Sequence, residues 1–227
     1  MTPEKHRVAV WDAPLRIFHW AMVALIGFAW WSAEQGLGWM EWHMFAGQAV
    51  LGLVVFRVLW GLVGTRHARF SDFLRGPRQV VAEVRQLLRR EAPEYAGHGP
   101  AGGWAAIVLL LVVTAQAGSG LFASDDIFTE APLAATVSGQ TEEWLNWAHA
   151  NVFDVLLWVV GIHVAVVVLV FPLLARMDLL TPMITGSKRL AKTAGSAKGF
   201  GWQVSLRALV LLGVCLAAVF GVVRWAG

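Results

Sequence analysis

The sequence is poor in cysteine and poor in charge. One cysteine, Cys215, stands among 227 residues. That excludes an internal disulfide, a Cys-x-x-Cys redox pair, a Cys-x-x-Cys-His covalent haem site and a cysteine-rich zinc site. Charged residues are 15% of the chain, against about 25% in an average soluble domain. Hydrophobic residues reach 57%, and the mean hydropathy is +0.60. Such an apolar excess has no polar surface to cover it in water, which excludes an ordinary soluble domain. The pattern of a secretory leader is also lacking. Asp12 and Arg16 interrupt the place of an apolar leader core and no prompt small-x-small cleavage site follows, so the first apolar run is expected to remain as a span.

What is there is length and apolarity in five places. A helix crosses the hydrocarbon core with about 20 apolar residues. Residues 15–33, 43–63, 104–123, 149–171 and 206–225 qualify. In lipid only helices satisfy their own backbone at this length, so all five are read as α-helices. Cationic residues are unevenly placed. Lys5, Arg7 and Arg16 lie at the N-terminus, seven arginines from Arg66 to Arg90 lie in the 64–100 loop, and Arg176, Lys188, Arg189, Lys192 and Lys198 lie in the 172–205 loop. The 33–42 and 124–148 loops hold no Lys or Arg, but carry Glu34, Glu41, Asp125, Asp126, Glu130, Glu142 and Glu143. The positive-inside rule then predicts a cytoplasmic N-terminus, acidic outer loops and an external C-terminus. The net charge of +3 and pI of about 9.5 reflect those inner loops and not nucleic-acid binding. Between Arg78 and Arg90, apolar residues recur at helical spacing among arginines, a pattern fitting a short interfacial helix or a solvated linker helix. Thr141 followed by Glu142 and Glu143 resembles a helix start outside the hydrocarbon.

Four of seven histidines, His19, His43, His149 and His163, fall in the spans or at their edges. An ionisable group there is costly and marks a functional site. His149 and His163 are fourteen residues apart on one predicted helix. The rise is ~21 Å, and the two return to within ~40° of one face. Depth and helix direction pair His19 with His163 on the cytoplasmic side and His43 with His149 on the external side. Two bis-imidazole sites at two depths suit two b-type haems, six-coordinate and hence suited to electron transfer. Gly47, Gly52 and Gly161 supply small residues beside a flat macrocycle, or equally close helix packing.

These residues sit in longer patterns: VWDAPLRIFHW at 10–20, HMFAGQAVLGLVVFRVLWGLVGTRHARFSDFLRGP at 43–77, the histidines at 149 and 163, and MITGSKR at 183–189. Together they make residues 8–190 resemble the prokaryotic cytochrome b561 family, which includes b-type cytochrome subunits of membrane hydrogenases. The resemblance implies an all-α integral membrane fold of the bacterial inner membrane. A four-helix bundle (1–190) would hold two non-covalent haems through His19, His43, His149 and His163, and exchange electrons with quinone. Residues 191–227 add a linker and a fifth membrane helix, open to sealing a haem face, contacting a partner subunit or forming a homo-oligomer. Arg57, fourteen residues after His43, either pairs with a haem propionate or quinone carbonyl or snorkels to lipid headgroups. Arg16, one turn before His19, invites the same two readings. Tryptophans near the span ends, from Trp11 and Trp60 to Trp225, are expected as interfacial anchors.

The expectation is a dihaem b cytochrome moving electrons between the quinone pool and an external partner, a periplasmic c-type cytochrome or metalloenzyme subunit. Two rivals stand: a quinone-linked superoxide oxidase working at the external haem, which the acidic outer loops disfavour, and a histidine-lined metal transporter without haem.

Overall fold

The computed structural model describes residues 6–124, 130–190 and 201–227. Lys5, Asp125, Asp126, Lys192, Lys198 and most of the linker after residue 190 lie outside the described residues. In chain order the elements are strand β1 (His6–Ala9), helices α1 (Ala13–Glu34), α2 (Met40–Val63), α3 (Phe70–Phe73), α4 (Pro77–Leu88), α5 (Pro100–Ser119), α6 (Gly139–Ala165) and α7 (Leu180–Thr185), strand β2 (Ser187–Leu190) and helix α8 (Trp202–Ala226). Five helical stretches are long and apolar enough to cross a membrane: α1, residues 37–63 around α2, α5, residues 139–175 around α6, and α8. The all-helical membrane bundle expected from the sequence is the architecture found, with one addition, the four-residue pairing of β1 with β2.

Every span is shifted by a few residues at one end or both, and α5 and α6 depart furthest from the expected bounds, for local reasons. Helix α5 stops at Ser119, where Gly118 and Gly120 weaken the last turn and the Ser119 hydroxyl donates back to the Ala115 carbonyl (2.7 Å). Helix α6 starts at Gly139, ahead of Thr141, and continues as a π-helical stretch over Val166–Ala175. The wider π turn accommodates Pro172, which has no N–H to give a regular ladder. Its 37 residues run to roughly 55 Å, well past the ~30 Å hydrocarbon core.

The chain divides into two compact units. The first comprises residues 1–17, 58–108 and 160–208; the second comprises 18–57, 109–159 and 209–227.

The first unit is fastened by polar contacts. Asp12 is fully buried. One carboxylate oxygen accepts the Leu15 N–H (2.7 Å), capping α1, and the other accepts the Trp60 indole N–H (3.1 Å) and the Thr65 hydroxyl (2.6 Å). β1 and β2 run antiparallel, His6 facing Leu190 and Ala9 facing Ser187. The ladder extends through Gly186, whose carbonyl accepts the Val10 and Trp11 N–H groups (2.8 and 3.1 Å). Gly186 has φ +80°, and a Cβ there would stand 2.8 Å from the Trp11 carbonyl oxygen, so only glycine fits. Helix α4 forms where the Arg-rich amphipathic pattern predicts it. It turns Val80, Glu83 and Leu87 inward and exposes Val81, Val84 and Leu88. The Glu83 carboxylate accepts the Ala101 N–H (2.6 Å) at the start of α5, and burial raises its pKa above the usual 4.5.

The second unit packs by side-chain interlock. Gly52 admits α8: a Cβ on it would meet Leu216 at 2.6 Å. Phe45 stacks obliquely on Phe220 (5.1 Å), and Trp30 on Phe153 (6.1 Å).

Candidate functional site

The second unit brings two of the expected histidines together. His43 lies in the first turn of α2 and His149 midway along α6, with ring centroids 6.1 Å apart and planes at 82°. Each ring is oriented by its Nδ1. The His43 Nδ1 donates to the Ala29 carbonyl of α1 (2.8 Å). The His149 Nδ1 donates to the Gln116 carbonyl of α5 (3.0 Å). A carbonyl only accepts, so Nδ1 is the donor in both rings, and in the neutral imidazole the lone pair then lies on Nε2. That is the tautomer a metal-binding imidazole needs.

Spacing is compatible with the same use: with metal–imidazole bonds of about 2 Å, two rings whose centroids lie 6.1 Å apart would be close enough to hold one metal between them.

Glycines leave room beside the pair. Gly47, one turn after His43, is half-buried, yet a Cβ there would meet nothing within 4 Å. Gly118 on α5 is likewise half-buried against open space. A flat ring needs such a cradle. Gly120 instead makes way for an imidazole, since a Cβ on it would come within 2.6 Å of the His149 Cε1. Gly52 goes to helix packing and Gly161 is exposed with open space around it.

The other expected residues have distinct settings. His19 is half-buried on α1, with the Trp20 ring edge-on at 5.0 Å. His163 is half-buried near the end of α6. They fall in different units, and their pairing rests on the rise along the helices. Arg57 is 3% exposed, enclosed by protein, which is not the setting of a side chain reaching for lipid headgroups. Arg16 donates through Nη1 to the Ile184 carbonyl and lies against Gly186. It thereby holds the turn before β2.

Trp11 and Trp60 are buried parts of the first unit, whereas the other expected anchors are exposed. Two histidines outside the spans have defined partners. His67 is buried with its Nδ1 2.8 Å from an Asp72 carboxylate oxygen, and His98 sits between the Trp11 and Phe73 rings (4.6 and 4.8 Å).

Sequence reasoning misses Gln116, Ser119 and Gly120 around His149. Gln116 is the available signal, a polar amide inside the third span.

The model of the prokaryotic cytochrome b561 family matches residues 10–186, most of the chain. The chain belongs to the prokaryotic cytochrome b561 family. It is a membrane b-type cytochrome, and haem b and electron transfer come with that membership. Two curated relatives are similar to it. A probable Ni/Fe-hydrogenase B-type cytochrome subunit of Bradyrhizobium diazoefficiens is 24% identical, over 80% of this chain and 86% of its own. A protein of the same description from Rhizobium leguminosarum bv. viciae is 31% identical, over 43% of this chain and 51% of its own. No solved structure matches.

Proposed function

We propose that this cytochrome is a dihaem relay between membrane quinone and an electron partner on the external face, the partner being a nickel–iron hydrogenase or a c-type cytochrome. The relatives' names favour the hydrogenase. One observation carries the reading: two imidazoles 6.1 Å apart, each with Nδ1 bound to a backbone carbonyl. His43 and His149 hold the external haem. His19 and His163 hold the cytoplasmic one, assigned from their depth along the spans.

A bis-imidazole haem supplies reversible one-electron storage with no open iron position. The protein's part is to fix the donors and limit rearrangement. Ala29 and Gln116 hold the external pair in one tautomer through their backbone carbonyls. Gly47 and Gly118 leave the space. The buried Arg57 cation suits a propionate carboxylate or a quinone carbonyl, and Arg16, one turn before His19, is proposed for the same role on the sequence reading while it braces the Ile184 carbonyl. The N-terminus faces the cytoplasm of a bacterial inner membrane in this reading. The acidic outer loops then favour a partner with a basic face.

Histidine-lined metal transport fits less well. Among the described residues no three His, Cys, Asp or Glu side chains cluster as a metal site, whereas structural zinc takes four protein ligands. The test is a pyridine haemochrome assay on the purified protein with histidine variants. Wild type should carry two haems per chain. His43→Ala and His149→Ala should lose the same haem, and His19→Ala and His163→Ala the other. A single haem in wild type, or crossed losses, would overturn the assignment.

A further inference from the structure

The two external imidazoles are not equivalent. The His43 Nδ1 meets the Ala29 carbonyl. The His149 Nδ1 meets a cluster on the last turn of α5. The Gln116 carbonyl lies at 3.0 Å, the Gln116 side-chain amide at 3.2 Å and the Ser119 hydroxyl at 3.4 Å. Ser119 is 6% exposed, and its hydroxyl proton is directed to the Ala115 carbonyl (2.7 Å), so an oxygen lone pair is left for the histidine side. The Gln116 amide, as oriented, points its NH2 at an Nδ1 that is already a donor, and its buried Oε1 makes no hydrogen bond among the described residues. Turning the amide over places an acceptor oxygen at that position. The two orientations are indistinguishable in shape, and the hydrogen-bond pattern chooses between them. Gly120 makes the arrangement possible, because any side chain there would push the His149 ring off the cluster.

We propose that Gln116 and Ser119 are positioning residues that lower the reduction potential of the external haem through His149. This rests on the ligand assignment made above. Acceptors around Nδ1–H draw the proton outward without removing it. The ring gains imidazolate character, Nε2 becomes a stronger donor, and the oxidised iron is favoured. No proton leaves His149; only the balance of the one-electron couple moves. The cluster sits on one ligand, so the effect is confined to one of the two haems.

The experiment is a spectroelectrochemical titration of the purified two-haem protein, with electron paramagnetic resonance of the oxidised form. Gln116→Met keeps the side-chain volume and removes the amide. It should raise the midpoint of one haem transition and leave the other in place. Gln116→Glu should move that same midpoint downward, because a carboxylate is a stronger acceptor. Ser119→Ala should give a smaller upward shift, reversed in Ser119→Thr. The low-spin g values of that haem alone should change in step. Unchanged midpoints and g values in Gln116→Met/Ser119→Ala, with two haems retained, would overturn the proposal. So would equal shifts of both haems. Should Gln116→Met fail to load haem, the Ser119→Ala and Ser119→Thr pair still decides by the same criterion. Retention of both haems in His149→Ala would overturn the ligand assignment instead.

Discussion

The two units solve opposite problems with opposite chemistry. The first is stitched together by polar groups: Asp12 with three donors, a short β-ladder, Glu83 on the α5 N-terminus and His67 against Asp72. The second is linked more sparingly, through Ser124 to Asn146 and Glu142 and through the two histidines to helix carbonyls. Its principal polar feature is the His43–His149 pair, and open space lies beside Gly47 and Gly118. The lesson is a division of labour. One unit is closed by its own hydrogen bonds, while the other rests on side-chain interlock around its histidine pair.

That contrast breaks if substitutions in the two units have the same consequence. The largest effect is expected at Gly47→Leu. An added Cβ meets nothing within 4 Å and the branched end of the leucine takes up the space beyond it, so one haem should be lost by haemochrome assay while the protein still inserts and purifies. Next comes Asp12→Ala, which strands the Trp60, Thr65 and Leu15 donors. The loss is about 3–5 kcal/mol, to be read as a lower unfolding midpoint in detergent, with the spectrum of the folded fraction unchanged. Gly186→Ala follows. It combines a strained φ with the Trp11 carbonyl clash and should cost about 1–3 kcal/mol. Haem loss without destabilisation at Asp12 or Gly186 would dissolve the distinction.

The smallest effect sharpens the comparison by pH. Burial raises the Glu83 pKa in the folded protein. Folding therefore favours its protonated form. The stabilisation is complete below the unfolded pKa near 4.5 and is lost as pH rises through the folded value. Glu83→Gln should flatten that slope in thermal melts between weakly acidic and neutral pH. An unaltered slope would show that Glu83 does not titrate with folding.

Much of this is legible in the sequence because lipid is an unforgiving solvent. Long apolar runs announce the spans, imidazoles inside them stand out by cost alone, and helix direction and depth put His43 and His149 at one level, where their rings lie 6.1 Å apart. What stays hidden depends on partners remote in the chain. Asp12 reads as an interruption of an apolar run until Trp60 and Thr65 fold over it. β1 has no visible mate until residues 187–190 return to it. Arg16 reads either as a partner for a propionate or quinone carbonyl or as a headgroup cation, and nothing in its neighbourhood in the chain announces the Ile184 carbonyl it braces. Pro172 signals a break in the helix that carries His149 and His163, but the chain widens into a π turn there and carries on.

The ladder between β1 and β2 also carries a timetable. Its two halves are separated by nearly the whole bundle in chain order, so this clasp cannot shut until Leu190 has emerged from the ribosome. During synthesis the leading end of α1 is therefore unclasped while the next three spans are inserted. Assembly of the first unit is then a late event, governed by the arrival of four residues just ahead of the last helix.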